Sequence, residues 1–219
     1  ISSVMDVKMN EGNNQTYHVG GGIGLISSKA YVEGPIVKDK SSFLVTGRRT
    51  YADMFLKLSS DESLNNNQLY FYDLNLKANY KINQNNRVYI SGYLGRDVFN
   101  MQDMFGLDWG NITGTLRWNH IWNSKLFSNT SLIYSDYDYQ VSITSNDNDF
   151  SLTSVIENLN FKQDFQYFMN EKSALNFGLY STFNRIIPGQ LEVSDDAGLS
   201  PLDLQDKYTL ESGIYMGNE

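Results

Sequence analysis

Cysteine is absent from the 219 residues, which excludes disulfide staples and thiolate metal sites together. Proline is nearly as scarce, with three residues in the chain. No apolar run approaches the length of about eighteen that a membrane-crossing helix needs. That absence leaves strands untouched. A barrel strand alternates lipid-facing with lumen-facing side chains, so a mean hydropathy of −0.41 is compatible with spanning a bilayer. Basic residues are in deficit, 17 Lys+Arg against 25 Asp+Glu for a net charge of −8, which argues against nucleic acid as a partner. The amino terminus, Ile1-Ser2-Ser3-Val4-Met5, has neither a basic stretch nor an apolar core, so no signal peptide is read there. For a barrel protein this raises the expectation that the chain starts partway through a longer one.

What is present is turn and strand material: 17 glycines, 15 tyrosines and many Asn and Ser residues. The clearest pattern runs from Leu69 to Val98. Tyr70, Tyr72, Leu74, Leu76, Ala78, Tyr80 and Ile82 recur at every second position, with Asp73, Asn75, Lys77, Asn79 and Lys81 between them. That is a strand with one apolar and one polar face. Asn83-Gln84-Asn85-Asn86 turns the chain, and Val88, Ile90, Gly92 and Leu94 alternate again, making a long hairpin. Tyr72 to Tyr80 covers about 26 Å of strand, or about 20 Å of height at a barrel tilt, close to the apolar band of an outer-membrane barrel with aromatic rims. Leu74, Leu76 and Ala78 are then expected to face lipid. Asp73, Asn75, Lys77, Asn79 and, by the same alternation around Ile112 to Trp118, Arg117 are expected to face the lumen. Tyr72, Tyr80, Trp118, Trp122, Tyr137 and Tyr139 are the candidates for an interfacial girdle.

The remaining chain reads as further strands: Thr16 to Ile26, Lys29 to Ile36 with Pro35 at its end, Ser41 to Tyr51, Asn111 to Trp122, Leu126 to Ile143, Phe150 to Met169, Leu175 to Phe183 and Tyr208 to Met216. Connections near 37–40, 83–86, 123–125 and 170–172 are short. Those near 52–68, 99–109, 144–149 and 185–206 are mostly long. Short turns at one end and long loops at the other are the connection pattern of a bacterial outer-membrane barrel; a soluble sandwich has no reason to sort its loops so. The expected fold is all-β, an antiparallel transmembrane meander of about ten strands.

Chemistry-bearing residues are few. His18 and His120 fall on different strands without ligands at metal spacing. The pairs Asp136/Asp138, Asp147/Asp149 and Asp195/Asp196 lack the spaced acidic set and glycine of a calcium loop, and read as solvated loop residues. Gly20 to Gly24 lacks the Lys-Ser/Thr and following helix of a phosphate cradle. Of Arg48-Arg49, alternation sends one to the lumen, as a plug or substrate contact. Trp109, Trp118, Trp122, Tyr134, Tyr137 and Tyr139 could form a carbohydrate platform, but their places near strand ends favour a girdle. No nucleophile, base and acid set is visible, so neither an enzyme nor a cofactor is expected.

Ile1 to Met9 resembles the last plug strand of TonB-dependent outer-membrane receptors. Val32 to Tyr51 resembles the second and third barrel strands, above all of the Bacteroidetes group, through Gly34-Pro35-Ile36, Lys38-Asp39-Lys40 and Ser42-Phe43. The resemblance implies a 22-stranded plugged barrel in the outer membrane. Such a barrel imports a scarce nutrient such as a glycan or siderophore, with energy relayed by the inner-membrane TonB complex and with a surface lipoprotein as a further partner. Residues 1–13 would be the end of the plug and its linker, and 14–219 the first part of the barrel. A TonB box, most of the plug and half the strands are missing from that pattern. The alternatives are a structural or adhesive surface β-protein, and a small outer-membrane barrel or porin closed by pairing Thr16–Ile26 with Tyr208–Met216.

Overall fold

The structure, a computed structural model, describes residues 9–58, 65, 67–101, 104–145, 148–193 and 202–218. The strand expected over Val4 to Met9 and the Asp195-Asp196 pair lie outside them, Met9 excepted. Eleven strands form one antiparallel sheet in chain order: β1 (His18–Ile23), β2 (Ser27–Val37), β3 (Ser41–Thr50), β4 (Gln68–Lys81), β5 (Asn86–Met101), β6 (Phe105–Ile121), β7 (Leu126–Ser145), β8 (Asn148–Asn170), β9 (Ser173–Val193), the two-residue β10 (Leu202–Asp203) and β11 (Lys207–Asn218). Both β10 and β11 pair with β9. The sheet is not closed: β1 bonds only to β2 and β11 only to β9. The pairing that a small complete barrel would need is therefore lacking among the described residues.

Register assigns the two faces. One rung runs Val45, Leu76, Gly92, Gly114, Tyr134, Leu159, Phe183, Leu210 across β3 to β11. The adjacent rung, one residue along and so on the opposite face, runs Thr46, Asn75, Tyr93, Thr113, Ser135, Asn158, Asn184, Thr209. The polar rung is laced together: Asn158 Nδ2 donates to Asn184 Oδ1 at 2.9 Å and Asn184 Nδ2 to Thr209 Oγ1 at 3.0 Å. Residues 9–14 lie against this polar side, which is called the inner face below. Lys77 Nζ donates to the Met9 carbonyl at 2.9 Å, and Asn79 Nδ2 to the Glu11 carbonyl at 3.0 Å.

Among the described residues nothing covers the apolar rung. Leu74, Leu76 and Leu116 are 37%, 44% and 48% exposed, and Ala174 is the one buried apolar residue among those described. The chain exposes 14871 Å², against ~10,000 Å² for a compact monomer of 25.0 kDa. A soluble sandwich buries such a face against a second layer; among the described residues there is no second layer.

Strands and connections differ from the sequence expectation at the end remote from the short turns, called the far end below. The loop expected near Asn100 to Asp108 is mostly strand, since Met101 already pairs with Phe105. The loop expected from Arg185 to Asp206 is occupied by β9 as far as Val193. Pro188 hid that strand from the sequence, because proline normally excludes a central strand. It sits in a bulge, where the register shifts opposite Ser154, and Ser154 Oγ donates to the Ile187 carbonyl at 2.8 Å. The connection 51–67 also carries a short exposed helix, α1 (Ala52–Lys57).

Candidate functional site

The candidate site is the wall itself, with chemistry that changes with height. The apolar residues of the outer face form a band that crosses the rungs obliquely. Its centre is Leu76 on β4, but Leu179 on β9, whereas the rung of Leu76 meets β9 at Phe183. The band therefore slips by about four residues, ~13 Å, over five inter-strand steps, ~24 Å. A level band then requires strands inclined by about 30°, close to the tilt of membrane barrels.

At the short-turn end the band is rimmed on the outer face by Tyr80, Trp118 and Trp122, which are 45%, 41% and 55% exposed. Beyond the band's far edge the outer face becomes ionic. Arg96 bonds Asp108 and reaches Asp138 at 3.3 Å; Arg185 reaches Glu157 at 3.2 Å and Asp206 at 2.8 Å. Tyr72, at this level, is paired with Arg49 and Arg96 across its two neighbours.

Tyr137 and Tyr139 are corrected by this geometry. They stand opposite Asn111 and Trp109, on the inner face, not on the outer face with Tyr72, Tyr80, Trp118 and Trp122. The cause is an inversion of polarity within β7. Leu132 and Tyr134 carry its apolar parity in the band, but past Ser135 the outer parity holds Asp136, Asp138 and Gln140 and the inner holds Tyr137, Tyr139 and Val141. Strands of 20, 23 and 21 residues far exceed the nine to eleven or so that cross a bilayer, so the far end obeys a different pattern. There Trp109 pairs with Tyr139, the Tyr137 and Tyr139 rings are 6.5 Å apart, and Phe99 and Phe105 are 6.2 Å apart. The six-residue aromatic set thus divides: Trp109, Tyr137 and Tyr139 gather inside, and Trp118, Trp122 and Tyr134 lie outside. Sequence reasoning missed this inner aromatic surface; the parity switch between Tyr134 and Tyr137 was its signal.

Asp73, Asn75, Lys77, Asn79 and Arg117 share the inner face. Arg48 is the inward member of its pair, with Nε 2.7 Å from Asp73 Oδ2 and its guanidinium 4.7 Å from the Phe71 ring. Arg49 turns outward over Tyr70 at 5.6 Å. An open cavity of about 500 Å³ lies between residue 10 and the first four strands, bordered by Lys29, Tyr31, Glu33, Arg48 and Asp73. Arg48 and Asp73 pair with each other there and Glu33 with His18, and the lining singles out no one ligand. His18 meets Glu33 at 3.2 Å, and His120 is on the outer face. Among the described residues no three His, Cys, Asp or Glu side chains are grouped as a metal would require.

No family profile matches the sequence, and no curated protein matches it. The fold is similar to the ferric yersiniabactin uptake receptor FyuA from Yersinia pestis, with a TM-score of 0.54 and 11% identity over 91% of this chain and 37% of that one. It is likewise similar to BauA, the ferric preacinetobactin receptor from Acinetobacter baumannii, with a TM-score of 0.60 and 8% identity over 92% of this chain and 37% of that one. At these identities the likeness is one of fold. The chain spans a little over a third of each receptor.

Proposed function

We propose that this chain is a section of the barrel wall of a TonB-dependent outer-membrane receptor, of the Bacteroidetes type that residues 32–51 resemble. It takes part in active uptake of a scarce nutrient and does no chemistry on its cargo. The observation that carries this reading is the uncovered apolar band, oblique to the rungs and rimmed by Tyr80, Trp118 and Trp122. Hydrocarbon is the medium in which such a face is stable. Residues 9–13, held to the inner face by Lys77, Asn79 and Arg87, are the end of a plug. Asp73, Asn75, Lys77, Asn79 and Arg117 line the lumen around it. The TonB complex and a surface lipoprotein are its protein partners.

The aromatic inner surface at the far end belongs to the vestibule that cargo meets before the plug. The two similar proteins are receptors for ferric yersiniabactin and ferric preacinetobactin; a cargo with flat apolar faces, a siderophore or a glycan, fits Trp109, Tyr137 and Tyr139. Nitroxide labels in the intact, membrane-embedded protein test the placement. A label at Ile90→Cys should collide mainly with lipid-dissolved oxygen, and one at Ser91→Cys should not. Equal oxygen access at the two positions would refute the membrane reading.

A further inference from the structure

At the short-turn rim of the apolar band, Trp118, His120 and Trp122 stand in file on the outer face of β6. The imidazole lies between the indoles, 5.3 Å from the Trp118 ring centroid and 4.5 Å from that of Trp122, edge-on to the latter at 85°. An interfacial tryptophan ordinarily keeps its N–H for water or head groups. These two turn theirs into the wall: Trp118 Nε1 donates to Asn86 Oδ1 at 2.9 Å and Trp122 Nε1 to Ser128 Oγ at 3.0 Å. His120 Nδ1 meets the same Asn86 Oδ1 at 2.7 Å. The Asn86 amide is oriented by its own Nδ2, which donates to Asn83 Oδ1 at 2.9 Å. Its oxygen therefore faces both rings, and Nδ1 must carry the imidazole proton.

Every donor in the file is thus committed. With the proton on Nδ1, the distal nitrogen Nε2 is an acceptor without a partner among the described residues, beside two indoles. An acceptor beside two indole rings and lacking a free donor complements a cation that bears N–H groups; it repels phosphate and carboxylate oxygens. We propose that this file seats the primary ammonium of a phospholipid head group, phosphatidylethanolamine, which donates one N–H to His120 Nε2 and lays its charge against Trp118 and Trp122. The proposal rests on the membrane placement given above, which sets the rim at head-group depth. A choline head group brings the charge without the N–H, and a phosphoglycerol head group brings neither.

The test uses the intact protein in nanodiscs at pH 8 containing equal phosphatidylethanolamine, phosphatidylcholine and phosphatidylglycerol with identical acyl chains. Lipid retained on the protein is counted by native mass spectrometry. The expected result is about fivefold enrichment of the ethanolamine lipid over the choline lipid, abolished in His120→Phe, which keeps a ring between the indoles but removes the acceptor. Equal retention of the two lipids, preferred retention of phosphatidylglycerol, or an unchanged preference in His120→Phe would each overturn the proposal. A second arm separates its failure from that of the membrane reading. Chain-brominated lipid of any head group should quench the fluorescence lost in Trp118→Phe, and absence of that quenching overturns both.

Discussion

At Gly12 the segment on the inner face passes close to the wall. It holds φ at +80°, and a Cβ there would lie 2.4 Å from the Phe43 carbonyl oxygen. Gly12→Ala is therefore expected to loosen residues 9–14 by about 1–3 kcal/mol, seen as faster proteolysis of that segment with the rest of the wall intact. Gly114→Ala is the control: nothing lies within 4 Å of its added Cβ, and proteolysis should not change. At this scale parity made much of the wall legible. The alternation from Tyr70 to Lys81 separates Lys77 and Asn79, which meet the segment, from Leu76 and Tyr80, which do not. Parity alone could not choose between Arg48 and Arg49, since that choice depends on which strand register puts Asp73 opposite. Nor could it place Tyr137 and Tyr139, because aromatic residues occupy both parities of β7 and only pairing with β6 decides.

Strand β6 sets the two media side by side, with Leu116 on the outer face and Thr115 on the inner. If hydrocarbon covers the band, Leu116→Arg should cost about 2–4 kcal/mol, and Thr115→Arg less than 1, read as the unfolding midpoint of the intact protein in lipid bilayers. Equal costs would mean equal media on the two faces. Elements were readable in proportion to how local their signals are. The turns near 37–40, 83–86, 123–125 and 170–172 are marked by Asn and Lys-Asp clusters, and Asn123 Oδ1, for one, accepts the Lys125 and Leu126 amides at 2.9 and 3.0 Å. The far ends were unreadable because polarity inverts there and because Pro188 sits inside a strand. The bulge leaves Pro188 no ladder partner to lose, so Pro188→Ala should change stability by less than ~0.5 kcal/mol. Ser154→Ala, which strips a buried hydroxyl from the Ile187 carbonyl, should cost about 1 kcal/mol in the same melt.

Across the whole sheet, every strand from β2 to β9 has a neighbour on each side, whereas β1 and β11 have one neighbour each. An open row of amides at each edge invites pairing with other chains, and closed barrels remove it. β11 is long for an edge, twelve residues, and nearly all of it is exposed; between Thr209 and Asn218 it carries a single charge, Glu211 on the inner face, and no proline. Such an edge is protected when further strands cover it. Hydrogen exchange distinguishes the cases. In the intact protein the amides of Val19, Gly21, Leu210 and Ile214 should be protected as strongly as those of Ile90 and Leu116. In the isolated 219-residue chain alternate amides of both edge strands should exchange within seconds, and the chain should associate through them. If the isolated chain were instead monomeric with both edges protected, β1 and β11 would be satisfying each other, and a small self-contained barrel would replace the larger one as the unit of function.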